Sequence, residues 1–149
     1  MLEGLGDTFL VVGLGSIGQR HVRNLLALRP GARIVALRSG RGERPVPQEL
    51  PIHSITSLDE LPAGTVRAAL VCNPSSLHVD TARELLARDI HLFMEKPLSH
   101  NLEGVRELLA EARRRSLLIS LAYPFRQHPL VKKLKSLLGE GPLGRPLYL

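Results

Sequence analysis

A five-residue run of β-forming and apolar residues, Thr8-Phe9-Leu10-Val11-Val12, passes without a break into Gly13-Leu14-Gly15-Ser16-Ile17-Gly18. Helical periodicity follows over residues 16–28, until Pro30-Gly31 stops it. The glycines fit G-x-G-x-x-G, and a strand before them with a helix after them is the context that gives the pattern weight. Such a unit belongs in an α/β fold whose first helix crosses back over a parallel sheet. Gly13 permits the tight turn, Gly15 lets backbone approach a pyrophosphate with no Cβ in the way, and Gly18 lets helix and strand pack closely. The backbone N–H groups at Ser16 and Ile17, with the helix dipole, then face the phosphates. A glycine-rich turn that binds nothing is the bland alternative.

The alternation continues along the chain. Residues 33–37, 52–55, 68–72, 90–94 and 117–121 read as strands. Residues 77–88 and 102–115 read as helices, with Ser75 or Ser76 capping the first and Asn101 the second. Residues 57–61 suggest a helical turn and 39–51 a loop. Near-continuous apolar strands imply a parallel sheet covered on both faces, a doubly wound α/β fold. This unit is complete by residue 122, and residues 123–149 begin something different: Pro124, a helix over 130–138, then a last run, Arg145-Pro146-Leu147-Tyr148-Leu149, that reads as another strand. A lone strand leaves its backbone groups unpaired, so the chain is expected to be the start of a longer protein. The alternative is a short chain with a swapped or frayed tail.

Charge narrows the partners. The chain carries 20 basic and 14 acidic residues, a net charge of +6. The excess sits at the ends, including Arg113-Arg114-Arg115 at a helix end, where cations suit the dipole. Single-strand binders interleave basic groups with aromatic platforms. This chain has three Phe, two Tyr and no Trp, in no stripe, so nucleic acid is not expected. No apolar run approaches the roughly 20 residues of a membrane span. The one cysteine, Cys72, excludes an internal disulfide and a multi-cysteine zinc site. The remaining histidines, His21, His53, His91, His100 and His128, share no ligand spacing, so no metal is expected. His91 alternates with apolar neighbours and suggests partial burial; the others read as exposed. A reducing cytoplasm is the expected compartment.

Ligands of an open α/β sheet bind outside the carboxyl ends of the strands. After the second strand comes Leu37-Arg38-Ser39-Gly40-Arg41-Gly42, with no carboxylate before Glu43. The acid that would hold an NAD ribose is absent, while Arg38, Ser39 and Arg41 suit a 2′-phosphate. NADP is the preferred cofactor, NAD remains open, and a methyltransferase is disfavoured. After the fourth strand comes Asn73-Pro74-Ser75-Ser76-Leu77-His78. Asn73 can hydrogen-bond a ribose or amide, Pro74 limits the turn, Ser75 caps or contacts, and His78 faces either the cleft or solvent. After the fifth comes Glu95-Lys96-Pro97. Elsewhere that pair would be a surface ion pair. At the cleft mouth, a lysine beside an oxidised nicotinamide ring feels its positive charge, which eases proton exchange with a substrate hydroxyl.

Gly13 to His21, Asn73 to His78 and Glu95-Lys96-Pro97, in this order and spacing, resemble the Gfo/Idh/MocA family, named for glucose–fructose oxidoreductase and inositol 2-dehydrogenase. Tyr123-Pro124-Phe125-Arg126-Gln127-His128-Pro129 is similar to the family's passage into its second domain, and Gly144 to Tyr148 to that domain's first strand. The resemblance covers essentially all 149 residues. It implies a Rossmann domain over 1–122, the beginning of a substrate and oligomerisation domain over 123–149, and NAD(P)-dependent oxidation or reduction of hydroxyls of sugars, cyclitols or related molecules. Lys96 would be the catalytic lysine at the reacting hydroxyl. Glu95 would help hold the nicotinamide side, Asn73 and His78 would line the cofactor cleft, and Tyr123 and Arg126 would lie near the nicotinamide end. The family's acid/base histidine and its aspartate lie in the second domain, past the end of this chain, so the chain alone is expected to be inactive. A homo-oligomer is implied only for the full-length protein. The competing readings are a non-catalytic dinucleotide-binding sensor or interaction module, and a structural protein with an empty cleft.

Overall fold

The first strand, β1 (Thr8–Val12), is buried along its whole length, because apolar side chains leave both of its faces. Leu10 and Val12 pack into one core and Phe9 and Val11 into another. A strand with period-2 alternation can only do this when layers cover the sheet above and below. The computed structural model describes residues 7–40, 45–139, 141 and 144.

From β1 the chain runs through α1 (Ser16–Leu28), β2 (Arg33–Leu37), β3 (Ile52–Ile55), β4 (Val66–Val71), α2 (His78–Ala87), β5 (His91–Met94), α3 (Val105–Arg114), β6 (Ile119–Leu121) and α4 (Pro129–Gly139). The six strands lie in the order β3-β2-β1-β4-β5-β6, and every pairing is parallel. This is the doubly wound sheet expected. Val22 of α1 joins Phe9, Val11 and Ile34 on one face. Ala82, Leu85 and Leu86 of α2, with Leu108 and Ala112 of α3, join Leu10, Ala69, Val71 and Met94 on the other. Fully burying a leucine of this kind contributes roughly 1.5–3 kcal/mol.

Several boundaries differ from the sequence expectation. Neither Ser75 nor Ser76 caps α2; a 3-10 turn over Ser75–Leu77 precedes the helix, with Pro74 at its N-cap and no side-chain hydrogen bond. The Leu77 N–H donates to the Pro74 carbonyl at 2.8 Å, so backbone does the work expected of a serine. Helix α3 starts at Val105, behind Gly104 in the left-handed region at φ 69°, and not at 102. Asn101 closes the preceding turn instead, accepting from the Glu103 N–H at 3.1 Å. Ile90 lies outside β5 and closes the turn after α2, its N–H donating to the Leu85 carbonyl at 3.2 Å. Leu117 likewise closes α3 by donating to Ala112 at 2.8 Å, which shortens β6. The helical turn near 58–60 is present and carries a capping box between Ser57 and Glu60. The expected strand at 145–149 lies outside the described residues. Among the described residues, no helix is long and apolar enough to cross a membrane.

Candidate functional site

The strand order makes the chain leave β1 toward β2 on one side and enter β4 on the other, which opens a crevice at the carboxyl ends of β1 and β4. The glycine turn sits there. Gly13 has φ 86°, and a Cβ on it would come within 2.9 Å of the Asn73 backbone. A Cβ on Gly18 would strike the Gly13 carbonyl oxygen. These two glycines keep turn, helix and β4 in contact. Gly15 is different: nothing lies within 4 Å of where its Cβ would be. Helix α1 starts at Gly15 with no side-chain cap and no acidic residue in its first turn. The first intrahelical bond runs from Gln19 N–H to Gly15 carbonyl, so the N–H groups of Ser16, Ile17 and Gly18 point ahead of the helix.

Across the crevice stand the turns after β4 and β5. A cavity of about 360 Å³ is bounded by Ile17, Asn73, Ser75, Glu95, Lys96 and Pro97, among others. Asn73 donates from Nδ2 to Thr81 Oγ1 at 2.8 Å, while its Oδ1 is buried with no hydrogen-bond partner. His78 faces inward and not to solvent: it is 1% exposed. Its Nδ1 lies 2.9 Å from the Pro97 carbonyl oxygen and its Nε2 2.9 Å from that of Asn73. Each ring nitrogen faces a backbone carbonyl oxygen, so His78 sits between the two turns, and a neutral imidazole, with its one N–H, donates to one of the two. The Lys96–Pro97 peptide is cis.

Glu95 does not pair with the Lys96 side chain. Its Oε1 lies 2.7 Å from His21 Nε2, and its Oε2 accepts the Lys96 backbone N–H at 3.1 Å. The pair is well covered, with side chains 17% and 14% exposed. His21, read from sequence as exposed, is thus part of the site. It follows Gly18 by three positions, one helical turn, which carries it to the same end of α1. Its ring meets Phe93 edge-on at 5.3 Å between centroids. Lys96 is exposed, and among the described residues no carboxylate lies within ion-pairing distance of its ammonium. Cys72 borders the same cavity; burial, and then the charge of Glu95, push its thiol from 9.0 up to about 12. It is therefore a neutral wall and not a nucleophile.

Arg38 continues from β2, its N–H donating to the Ile55 carbonyl at 2.9 Å, and Ser39 follows in an exposed position. Arg41 lies outside the described residues. Tyr123 and Arg126 do not share the cavity of Lys96. They line a larger one of about 680 Å³ against α1, β5 and β6, together with Arg20, His21 and Phe93. Ile17 and Glu95 belong to both cavities. Among the described residues no group of three His, Cys, Asp or Glu side chains could hold a metal ion.

These features fit a dinucleotide. The open space over Gly15 and the uncapped start of α1 suit a diphosphate. The unpartnered Asn73 Oδ1 is an acceptor suited to a ribose hydroxyl or amide.

Known proteins resemble this chain in sequence and in fold. Oxidoreductase YrbE of Bacillus subtilis (strain 168), itself uncharacterized, is 28% identical over 144 residues, covering 93% of this chain and 42% of that protein. Inositol 2-dehydrogenase of Pseudomonas savastanoi pv. phaseolicola is 32% identical over 147 residues, 93% of this chain and 43% of that protein. Among solved structures, UDP-N-acetylglucosamine 3-dehydrogenase GnnA from Acidithiobacillus ferrooxidans superposes with TM-score 0.72 at 26% identity, covering 87% of this chain and 42% of that one. Scyllo-inositol dehydrogenase from Lactobacillus casei, solved with bound cofactor NAD(H) and scyllo-inositol, shares the fold at TM-score 0.75 and 21% identity, with 93% and 42% covered. The chain spans about 42% of the length of such relatives. The family model described as "Oxidoreductase family, NAD-binding Rossmann fold" matches residues 8–123, from the start of β1 to just past β6. On that span and these motifs, the chain belongs to the Gfo/Idh/MocA oxidoreductase family and comprises its NAD-binding Rossmann domain.

Proposed function

We propose that this domain binds a nicotinamide dinucleotide, NADP in preference to NAD, for a protein that moves hydride from the hydroxyl-bearing carbon of a sugar, cyclitol or related small molecule to the nicotinamide, or back to the corresponding carbonyl carbon. The observation that carries the reading is the uncapped start of α1 over open Gly15, facing Asn73 and Lys96 across one crevice. Relatives named as inositol and UDP-N-acetylglucosamine dehydrogenases support the substrate class. In this reading residues 1–122 bind cofactor, and residues from 123 begin the part that shapes the substrate site. The exposed run Tyr123, Phe125, Leu130 and Leu134 supports that division. The single unpaired thiol supports a cytoplasmic setting.

Bound NAD(P) supplies the hydride acceptor or donor. The N–H groups of Ser16, Ile17 and Gly18 hold the diphosphate, and Asn73 Oδ1 accepts from a ribose hydroxyl or amide. Arg38, Ser39 and Arg41 take the 2′-phosphate. Lys96 Nζ exchanges a proton with the substrate hydroxyl, while Glu95 fixes the Lys96 peptide by accepting its N–H. Tyr123 and Arg126 lie near the nicotinamide end, on the side of the larger cavity.

Calorimetric titration of the chain with NADPH and with NADH tests this, with Arg38→Asp alongside. NADPH should bind about tenfold tighter or better, and the variant should reverse the order. Equal affinities retire the NADP preference and leave the dinucleotide site. Binding of neither removes the reading for this chain.

A further inference from the structure

The larger cavity has an electrostatic character that the nucleotide cleft does not account for. Its carboxylate, Glu95, is already taken up by His21 and by the Lys96 N–H. Two guanidiniums on its rim, Arg20 and Arg126, have no carboxylate partner among the described residues. They come from separate places, the second turn of α1 and the 3-10 turn after β6. Each offers a planar fork of N–H donors and no acceptor. A neutral polyol would leave both forks to water, whereas a phosphate or carboxylate matches them in charge and shape. The rest of the cavity suits a carbon skeleton: Phe93, Ile119 and Leu121 give an apolar wall, and Tyr123, 51% exposed, offers an aromatic edge. A volume of about 680 Å³ holds an organic molecule and not a bare ion. Glu95 and Ile17 also border the cleft of Lys96, so the two cavities adjoin.

We propose that this second cavity takes an anionic substrate, a phosphorylated or carboxylated polyol whose acid group is held by Arg20 and Arg126. The inference rests on the dehydrogenase reading only in calling the molecule a substrate; the binding itself stands on the cavity.

The test is an amide chemical-shift titration of this chain with glucose 6-phosphate, with glucuronate and with neutral myo-inositol. Each is run with and without NADPH, on the parent chain and on Arg20→Ala, Arg126→Ala and the double variant. NADPH reports on the cleft through the amides of residues 13–18. The anions should instead move the amides of residues 119–127 and His21, with an affinity that weakens with salt. The double variant should lose about tenfold or more, and myo-inositol should leave these amides still. Whether the phosphate or the carboxylate binds more tightly then identifies the acid group. Myo-inositol binding as well as the anions, an affinity indifferent to both arginine variants, anions moving only residues 13–18, or no response at tens of millimolar would each overturn the proposal. NADPH failing while the anions bind would remove the cofactor reading and leave this one in place.

Discussion

His21 and Glu95, 74 positions apart in the chain, meet at 2.7 Å through Nε2 and Oε1, and Glu95 borders both cavities. The same carboxylate holds the Lys96 backbone N–H and raises the Cys72 thiol. Glu95→Gln keeps the shape and an acceptor oxygen but removes the charge. The Cys72 thiol, now pushed up to about 12, should come down while staying above 9.0, since burial is the larger cause. Alkylation rate against pH measures it; an unchanged profile would mean that Glu95 does not reach the thiol.

Two of the motif glycines should fail in different ways. Gly18→Ala drives a methyl into the Gly13 carbonyl, an overpacking that costs about 1–3 kcal/mol of stability. Gly15→Ala meets open space, so its melting temperature should hold while affinity for NADPH falls about tenfold. Parallel melting and titration curves separate the two. A Gly15→Ala protein that binds normally would move the phosphates away from this turn.

His78→Phe keeps an aromatic ring at a 1% exposed position and removes both polar contacts. The carbonyl that accepted the ring N–H then loses that donor, and unfolding by urea should show a loss of about 1–3 kcal/mol. His78→Asn, with one donor group restored, should recover part of it. If Phe is tolerated with no loss, the brace between the two turns is dispensable.

Cys72 also sets an alkaline limit. Its thiol stays protonated in the folded chain up to about 12, while the unfolded chain releases the proton near 9.0. Above that lower value the unfolded state binds fewer protons, so stability falls as pH rises, at roughly 1.4 kcal/mol per pH unit for this one group. Below it both states hold the proton and the effect vanishes. The difference in unfolding free energy between parent and Cys72→Ala, followed from pH 8 upward, should change with that slope; a pH-independent difference would count against it.

An acid limit comes from Glu111, whose carboxyl is held at about 2 by hydrogen bonds from Arg114 and then Arg115. A lowered folded value stabilises above the unfolded value of 4.5 and is lost as pH falls through it toward 2. Glu111→Gln should therefore flatten part of the acid limb and lower the neutral-pH stability by the same small amount, since the cluster is exposed; urea unfolding at pH 7 and pH 2.5 measures both.

Sequence patterns reached furthest where structure is local. β1, α1, β2 and β3 fall at the expected residues because apolar period, glycine turn and Pro-Gly stop are all readable over a few positions. The caps of α2 and α3 were not readable, because each helix is preceded by a turn that uses up the expected cap: backbone in place of Ser75, and Asn101 serving Glu103. In the site, the strand-end positions of Asn73, Glu95 and Lys96 follow from the topology alone. The partnerships do not. His21 with Glu95, and His78 with two carbonyls, join segments that only the folded sheet brings together, and no spacing rule reports a hydrogen bond across 74 residues.

The crevice between β1 and β4 is a product of connectivity: it exists because the chain winds away from the sheet's middle in two directions. None of the arginines at Arg20, Arg38 or Arg126 belongs to either buried core cluster that holds the sheet together. Recognition and architecture are thus written in separate parts of the sequence. A lineage can exchange one set of rim residues for another, and so change which dinucleotide or which acid it accepts, without renegotiating the fold that makes the opening.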